Sequence, residues 1–279
     1  MSEQHSKVKL RDEKFVSRAS TRIWEELPSD KNPYLAESCR CHGYDIIELA
    51  RKKSFVDVLF LLFRGELPTR EQSELLEIMM ITMINPGPRH PATWAAMNTG
   101  VGKTFPEHIL PIALSAMGGA HLGGVEVSEA MRFFNKHIGK DAGQLVDELI
   151  EMAKEYDGDT HIAPGFGSRF SGIDPMPQKY ATMLSSLPGS GEALKWGISF
   201  AEALKSHNMG WLATGVAAAV FCDLGFTFSA GTGIFQLISA PGMLAHGLEL
   251  SGPFKPITAM PFLDGEHYVI DEQAKTKKR

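Results

Sequence analysis

Between Ile46 and Leu250 the apolar residues return at helical spacing, in runs that glycine or proline closes, and few segments alternate apolar with polar residues as a half-buried strand does. Side chains three or four positions apart share one face of a helix, so this rhythm points to packed helices and an all-α fold class. Ile46, Ile47 and Leu49 open the pattern, and Phe55, Val58, Leu59 and Leu62 continue it until Gly65 and Pro68 stop it. Thr69 followed by Glu71 starts a run whose Leu75, Leu76, Met79, Met80 and Met83 form a core face, closed by Asn85-Pro86-Gly87-Pro88. Further helical runs are expected through Ile109–Ala120, Val127–Phe134, Gln144–Tyr156, Ala193–Leu204, Trp211–Leu224 and Gly231–Leu250. The run from Trp211 is apolar almost all round, which implies burial on all sides.

Composition narrows the function classes. A chain of 279 residues with 43% hydrophobic and 22% charged residues is globular, and it has room for one large domain or a large domain with a satellite. A net charge of −5 without a basic stripe gives no footprint for nucleic acid, and Lys275, Lys277, Lys278 and Arg279 read as a solvated tail. No membrane-spanning run is present and Met1–Leu10 is polar, so a cytoplasmic protein without membrane contact is expected. Cys39, Cys41 and Cys222 are an odd set that suits a reducing compartment, and Cys39-Arg40-Cys41-His42 lacks the second ligand pair of a zinc site, so no metal is expected.

Four stretches, in order, carry a resemblance. They are Gly43-Tyr44-Asp45-Ile46 with Leu61-Leu62-Phe63-Arg64-Gly65-Glu66-Leu67-Pro68; Gly118-Gly119-Ala120-His121-Leu122-Gly123-Gly124; Pro164-Gly165-Phe166-Gly167-Ser168-Arg169 with Asp174-Pro175; and Ala240-Pro241-Gly242 through Glu249 with Lys255-Pro256. Together they resemble the citrate synthase and citryl-CoA lyase family. The resemblance implies a homodimer of helical subunits, with a large domain (1–121 and 215–279), a smaller mobile domain (122–214) and a cleft that closes on an acyl-CoA. Coenzyme A enters as the thioester substrate, with no resident cofactor. His121 matches the group that holds the enolate oxygen, and Pro164, Gly165, Phe166, Gly167 and Arg169 match the loop around CoA.

The departures from that family shape the functional expectation. Ser168 stands where a second catalytic histidine belongs, and Asn208-Met209 is followed by Gly210 instead of an aspartate. Loss of a positioned base costs about 10²–10⁴ in rate, which argues against ordinary citrate synthesis. Met176, Ser239 and Lys255 replace arginines that would fork onto carboxylates. Arg89 and His90 stand near the altered Asn85-Pro86-Gly87 segment as new polar contacts, and His207, Asp223 and Asp174 are candidate replacement groups. The expected site is therefore His121, Ser168 and His207 for catalysis, with His90, Arg89, Asn208 and Lys255 for substrate. The expected activity makes or breaks a carbon–carbon bond beside a CoA thioester, with an acceptor less anionic than oxaloacetate. A catalytically silent CoA-binding or scaffolding subunit and an acyl-CoA thioesterase are the alternatives.

Overall fold

The computed structural model describes residues 20–153 and 160–252, so Lys255 and the basic tail lie outside the described residues. The chain divides into two compact units, Met1–Leu67 and Pro68–Arg279. In the first, strands β1 (Trp24–Pro28), β2 (Ala36–Cys41) and β3 (Tyr44–Asp45) form an antiparallel sheet in that order. His42 and Gly43 join β2 to β3 with φ of 47° and 85°, the two positive values that a tight hairpin of matching twist demands. Asp45 then accepts from the N–H groups of Ile47 and Glu48 at 2.9 and 3.0 Å and starts helix α1 (Ile46–Lys52). A reciprocal capping box of Ser54 and Asp57 opens α2 (Phe55–Arg64), and left-handed Gly65 ends it. Cys41, Leu49 and Leu61, flanked by Ile46, Val58 and Leu67, form a buried cluster in this unit. The sheet is an addition to the helical expectation: every residue of β1 is exposed, so no buried face leaves an alternation to read.

The second unit is helical apart from one strand pair. Helices α3 (Arg70–Met83), α4 (Pro91–Val101), α5 (Pro106–Met117), α6 (Gly124–His137) and α7 (Ala142–Met152) come first. Strand β4 (Phe166–Gly167), α8 (Pro175–Ser185), α9 (Glu192–Leu204) and a 3-10 turn at Lys205–His207 follow. Strand β5 (Gly210–Trp211), α10 (Ala213–Asp223) and α11 (Phe228–Ser251) complete it. The box at Thr69 is closed by Gln72, the third residue on, since that spacing returns a side chain to the cap N–H. Helices α4 and α8 fall where the apolar period is weak, and each begins with a proline behind a capping side chain, His90 and Asp174.

As its composition demands, α10 is buried from Thr214 to Phe221 and packs against α6, α9, α8 and α3. Helix α11 lies along α4, α6 and α5. A Cβ on Gly100 would strike the carbonyl of Gly247, so two glycines let α4 and α11 approach closely. Pro241 interrupts the α11 ladder, and the N–H of Gly242 donates instead to the carbonyl of Ile84 at 3.0 Å, docking the end of α3. Asp223 accepts from the N–H groups of Gly191, Ala193 and Leu194 at 2.8–3.2 Å, so this candidate replacement carboxylate caps α9. Among the described residues no helix is long and apolar enough to cross a membrane, and no cluster of metal-ligating side chains occurs.

Candidate functional site

The polar centre of the second unit is Glu126, 2% exposed in the first turn of α6, where the helix dipole favours a carboxylate. The Leu122 N–H donates to Oε2 at 2.7 Å, and the Gly165 N–H donates to Oε1 at 3.3 Å. His161 Nδ1 lies 2.7 Å from Oε1. Burial pushes this carboxyl up, but the hydrogen bond and charge of His161 and the two N–H donors outweigh it and hold the group below its ordinary value. An ionised carboxylate only accepts, so His161 Nδ1 carries the proton of this hydrogen bond, and in the neutral imidazole Nε2 carries the lone pair. That Nε2 is buried and has no hydrogen-bond partner among the described residues. The ring of His121 stacks on that of His161, with centroids 4.9 Å apart.

The glycine loop is more enclosed than its sequence suggests. Residues Gly165 to Ser168 are buried, and β4 pairs antiparallel with β5, matching Phe166 to Trp211 and Gly167 to Gly210. The carbonyl of Gly165 accepts from Leu212 at 2.9 Å, and the N–H of Phe166 donates to Ala163 at 2.9 Å. Gly165 has a φ of 79°, and a Cβ there would enter the Gly215 backbone; a Cβ on Gly167 would enter the Thr160 carbonyl. Although the resemblance implies a loop around CoA, these backbone groups of Gly165 and Phe166 are bonded inside the protein. Phe166 is fully buried with its ring 4.5 Å from that of Trp211, and Pro164 is half-buried. Ser168 is buried too: its N–H donates to the Thr160 carbonyl and its Oγ accepts from the Thr160 N–H, at 2.8 and 2.9 Å.

What the strand pair does is hold up the walls of a cavity of about 280 Å³, with Arg169 and Phe170 following β4 and Leu212 to Thr214 following β5. Arg89, His90, Asp174, Tyr180, Met176 and Ser239 also line it. His90 is nearly buried; its Nε2 faces the Leu122 carbonyl at 3.0 Å and its Nδ1 accepts from the Ala92 N–H at 3.1 Å, so both nitrogens are assigned. Burial pulls its pKa down and, with the nearby charges of Arg169 and His121, outweighs the Leu122 hydrogen bond, so His90 is neutral at physiological pH. The guanidinium carbons of Arg89 and Arg169 lie 5.3 and 4.6 Å from the centroid of the exposed Phe170 ring. Phe170 and Ser171 form a tight turn with φ of 50° and 58°, closed by hydrogen bonds between Arg169 and Gly172. The Thr214 hydroxyl is buried on the wall without a partner among the described residues.

The structure thus brings Arg89, His90 and Arg169 to one cavity, while Lys255 lies outside the described residues. His121 and Ser168 are not among its lining residues. His207 is exposed on the 3-10 turn, and Asn208 follows it in left-handed conformation with Nδ2 donating to the Ser171 carbonyl at 2.8 Å, which braces the Phe170 turn. Glu126 and His161 were not singled out from sequence. The only local sign is a glutamate between Val125 and Val127 in a helix start that is otherwise apolar and small.

No family model matches the chain. A stretch of 111 residues is 34% identical to the citrate synthase of Dictyostelium discoideum; it covers 37% of this chain and only 21% of that protein. Among solved structures, the citryl-CoA lyase of Hydrogenobacter thermophilus matches with a TM-score of 0.71 at 24% identity, covering 93% of this chain and 99% of the other. The ATP citrate lyase of Methanosaeta concilii, solved with (3S)-citryl-CoA, matches with a TM-score of 0.71 at 16% identity over 96% of this chain and 44% of its own. The chain therefore has a citrate synthase-like fold over most of its length, at low sequence identity to the structures that share it.

Proposed function

We propose that this chain, whose fold is citrate synthase-like, makes or breaks a carbon–carbon bond beside a CoA thioester, using an acceptor less anionic than oxaloacetate. The observation that carries the reading is the cavity wall: Met176 and Ser239, where the resemblance leads one to expect arginines, both line it, while Arg89 and Arg169 flank Phe170. Bidentate arginine forks are what bind a dicarboxylate firmly, so a wall of this kind suits one anionic group next to hydroxyl donors such as Thr214. The (3S)-citryl-CoA in the archaeal lyase supports a thioester as the class of ligand. In this reading His121 holds the thioester oxygen, Ser168 is a lesser donor and His207 a candidate proton acceptor. The loop of Pro164 to Gly167, its backbone paired inside the protein, positions Arg169 for the CoA, and Asn208 and Lys255 contribute on the substrate side. A homodimer whose residues 122–214 close on ligand belongs to the same proposal.

A silent CoA-binding subunit is favoured by one observation: His121, Ser168 and His207 are all missing from the cavity lining. A thioesterase draws no such support, since the buried Ser168 oxygen accepts from the Thr160 N–H. Calorimetric titration with CoA, acetyl-CoA, citrate and oxaloacetate tests the proposal. CoA compounds are expected to bind, Arg169→Ala to weaken them by about tenfold or more, as loss of a charge-assisted hydrogen bond does, and the two carboxylates not to bind. Tight binding of oxaloacetate overturns the altered acceptor, and no binding of any CoA compound at millimolar concentration overturns the whole reading. CoA binding without turnover of any hydroxyacyl-CoA ester leaves the silent subunit.

A further inference from the structure

The pair of buried Glu126 and half-buried His161 has no part in the mechanism above. An imidazole nitrogen shut away from water without a partner is costly. The pair is nonetheless built with care: the carboxylate is held by two backbone N–H groups and by His161 Nδ1, which leaves Nε2 as the basic atom. Its position is informative as well. Gly210, where the expected catalytic aspartate is lacking, is the register partner of Gly167, and a Cβ built on Gly167 would lie 2.9 Å from the His161 Cα. The His161 ring stacks on His121, the residue assigned to the thioester oxygen.

We propose that His161, oriented by Glu126, moves the α-proton of the acyl-CoA in place of the missing aspartate, an inference that rests on the thioester reading above. The C–H bond next to the thioester breaks and its electron pair forms the carbon–carbon double bond of the enolate. The carbonyl π pair moves onto the thioester oxygen, which accepts a hydrogen bond from His121, and the proton arrives on His161 Nε2. The Glu126 carboxylate faces the imidazolium so formed and stabilises its charge. Reversal returns a proton to carbon, so the half-reaction balances without a second substrate.

Deuterium uptake from D₂O into the methyl group of acetyl-CoA, followed by NMR beside calorimetric binding of the same ester, tests this. Wild type is expected to exchange, and His161→Gln to exchange about 10²-fold more slowly or worse at unchanged acetyl-CoA affinity. His161→Ala is expected to recover part of the rate when imidazole is added, which a merely structural histidine would not do. Glu126→Gln presents an amide N–H to Nδ1, reverses the tautomer and slows exchange likewise. Should His161→Gln fail to melt cooperatively, imidazole rescue of His161→Ala decides; should His161→Ala fail, the exchange rate of His161→Gln decides. If acetyl-CoA binds but wild type does not exchange, or if His161→Gln exchanges normally while His207→Gln does not, the inference falls and the thioester reading stands. If acetyl-CoA does not bind, both fall.

Discussion

Single residues here owe their chemistry to burial. His90 is neutral because desolvation pulls its pKa below the ordinary 6.5, so the unfolded chain binds the additional proton as pH falls through that value. The His90 contribution is therefore present above 6.5 and declines as pH falls toward the lower, folded-state value. Urea titrations across this range are expected to show stability falling with acidification, and His90→Phe to flatten part of that slope. Cys222 is the opposite kind of group: burial first, and then the neighbouring Asp223 charge, push its thiol up to about 12. It is expected to resist iodoacetamide at pH 8 in the folded protein and to react in urea, as peptide mapping would show, because the thiolate is the reacting species. Neither environment is visible in sequence, where Cys222 and His90 look like any other cysteine and histidine.

At the level of elements, the start of α3 was legible at Thr69 because a cap acts locally, whereas α4 and α8 were not. The glycine loop was recognised, yet its surroundings were not: Gly165 to Gly167 look like an open ligand cradle until β5, more than forty residues on, pairs with them. Gly167→Ala is expected to cost about 1–3 kcal/mol or more in urea unfolding, because its Cβ meets the Thr160 carbonyl, which cannot step aside as a side chain can. The turn at Phe170-Ser171 holds two positive-φ residues of the wrong type, each costing about 1–2 kcal/mol. Phe170→Asn combined with Ser171→Gly is expected to raise the melting temperature while weakening CoA binding, since the ring between the two arginines is removed.

Across the whole molecule, stability is unevenly distributed. Strand β1 is exposed throughout, whereas α10 is buried along its whole run from Thr214 to Phe221. Hydrogen exchange is expected to rank them accordingly, with amides of β1–β3 exchanging well before those of α10. Sedimentation at micromolar concentration checks the proposed homodimer; exposed apolar side chains such as Ile81 and Leu237, at 63% and 47%, are candidates for a buried contact. The sequence by itself determined the helical character and the four stretches of resemblance, because periodicity, caps and breakers act over a few residues. Only the tertiary structure decided that Glu126 meets His161 thirty-five positions away, that Ser168 turns to Thr160, and that Arg89 and Arg169 flank one ring. Those pairings come from how helices pack and strands register, and no local preference of the chain encodes which distant partner a buried polar group will find.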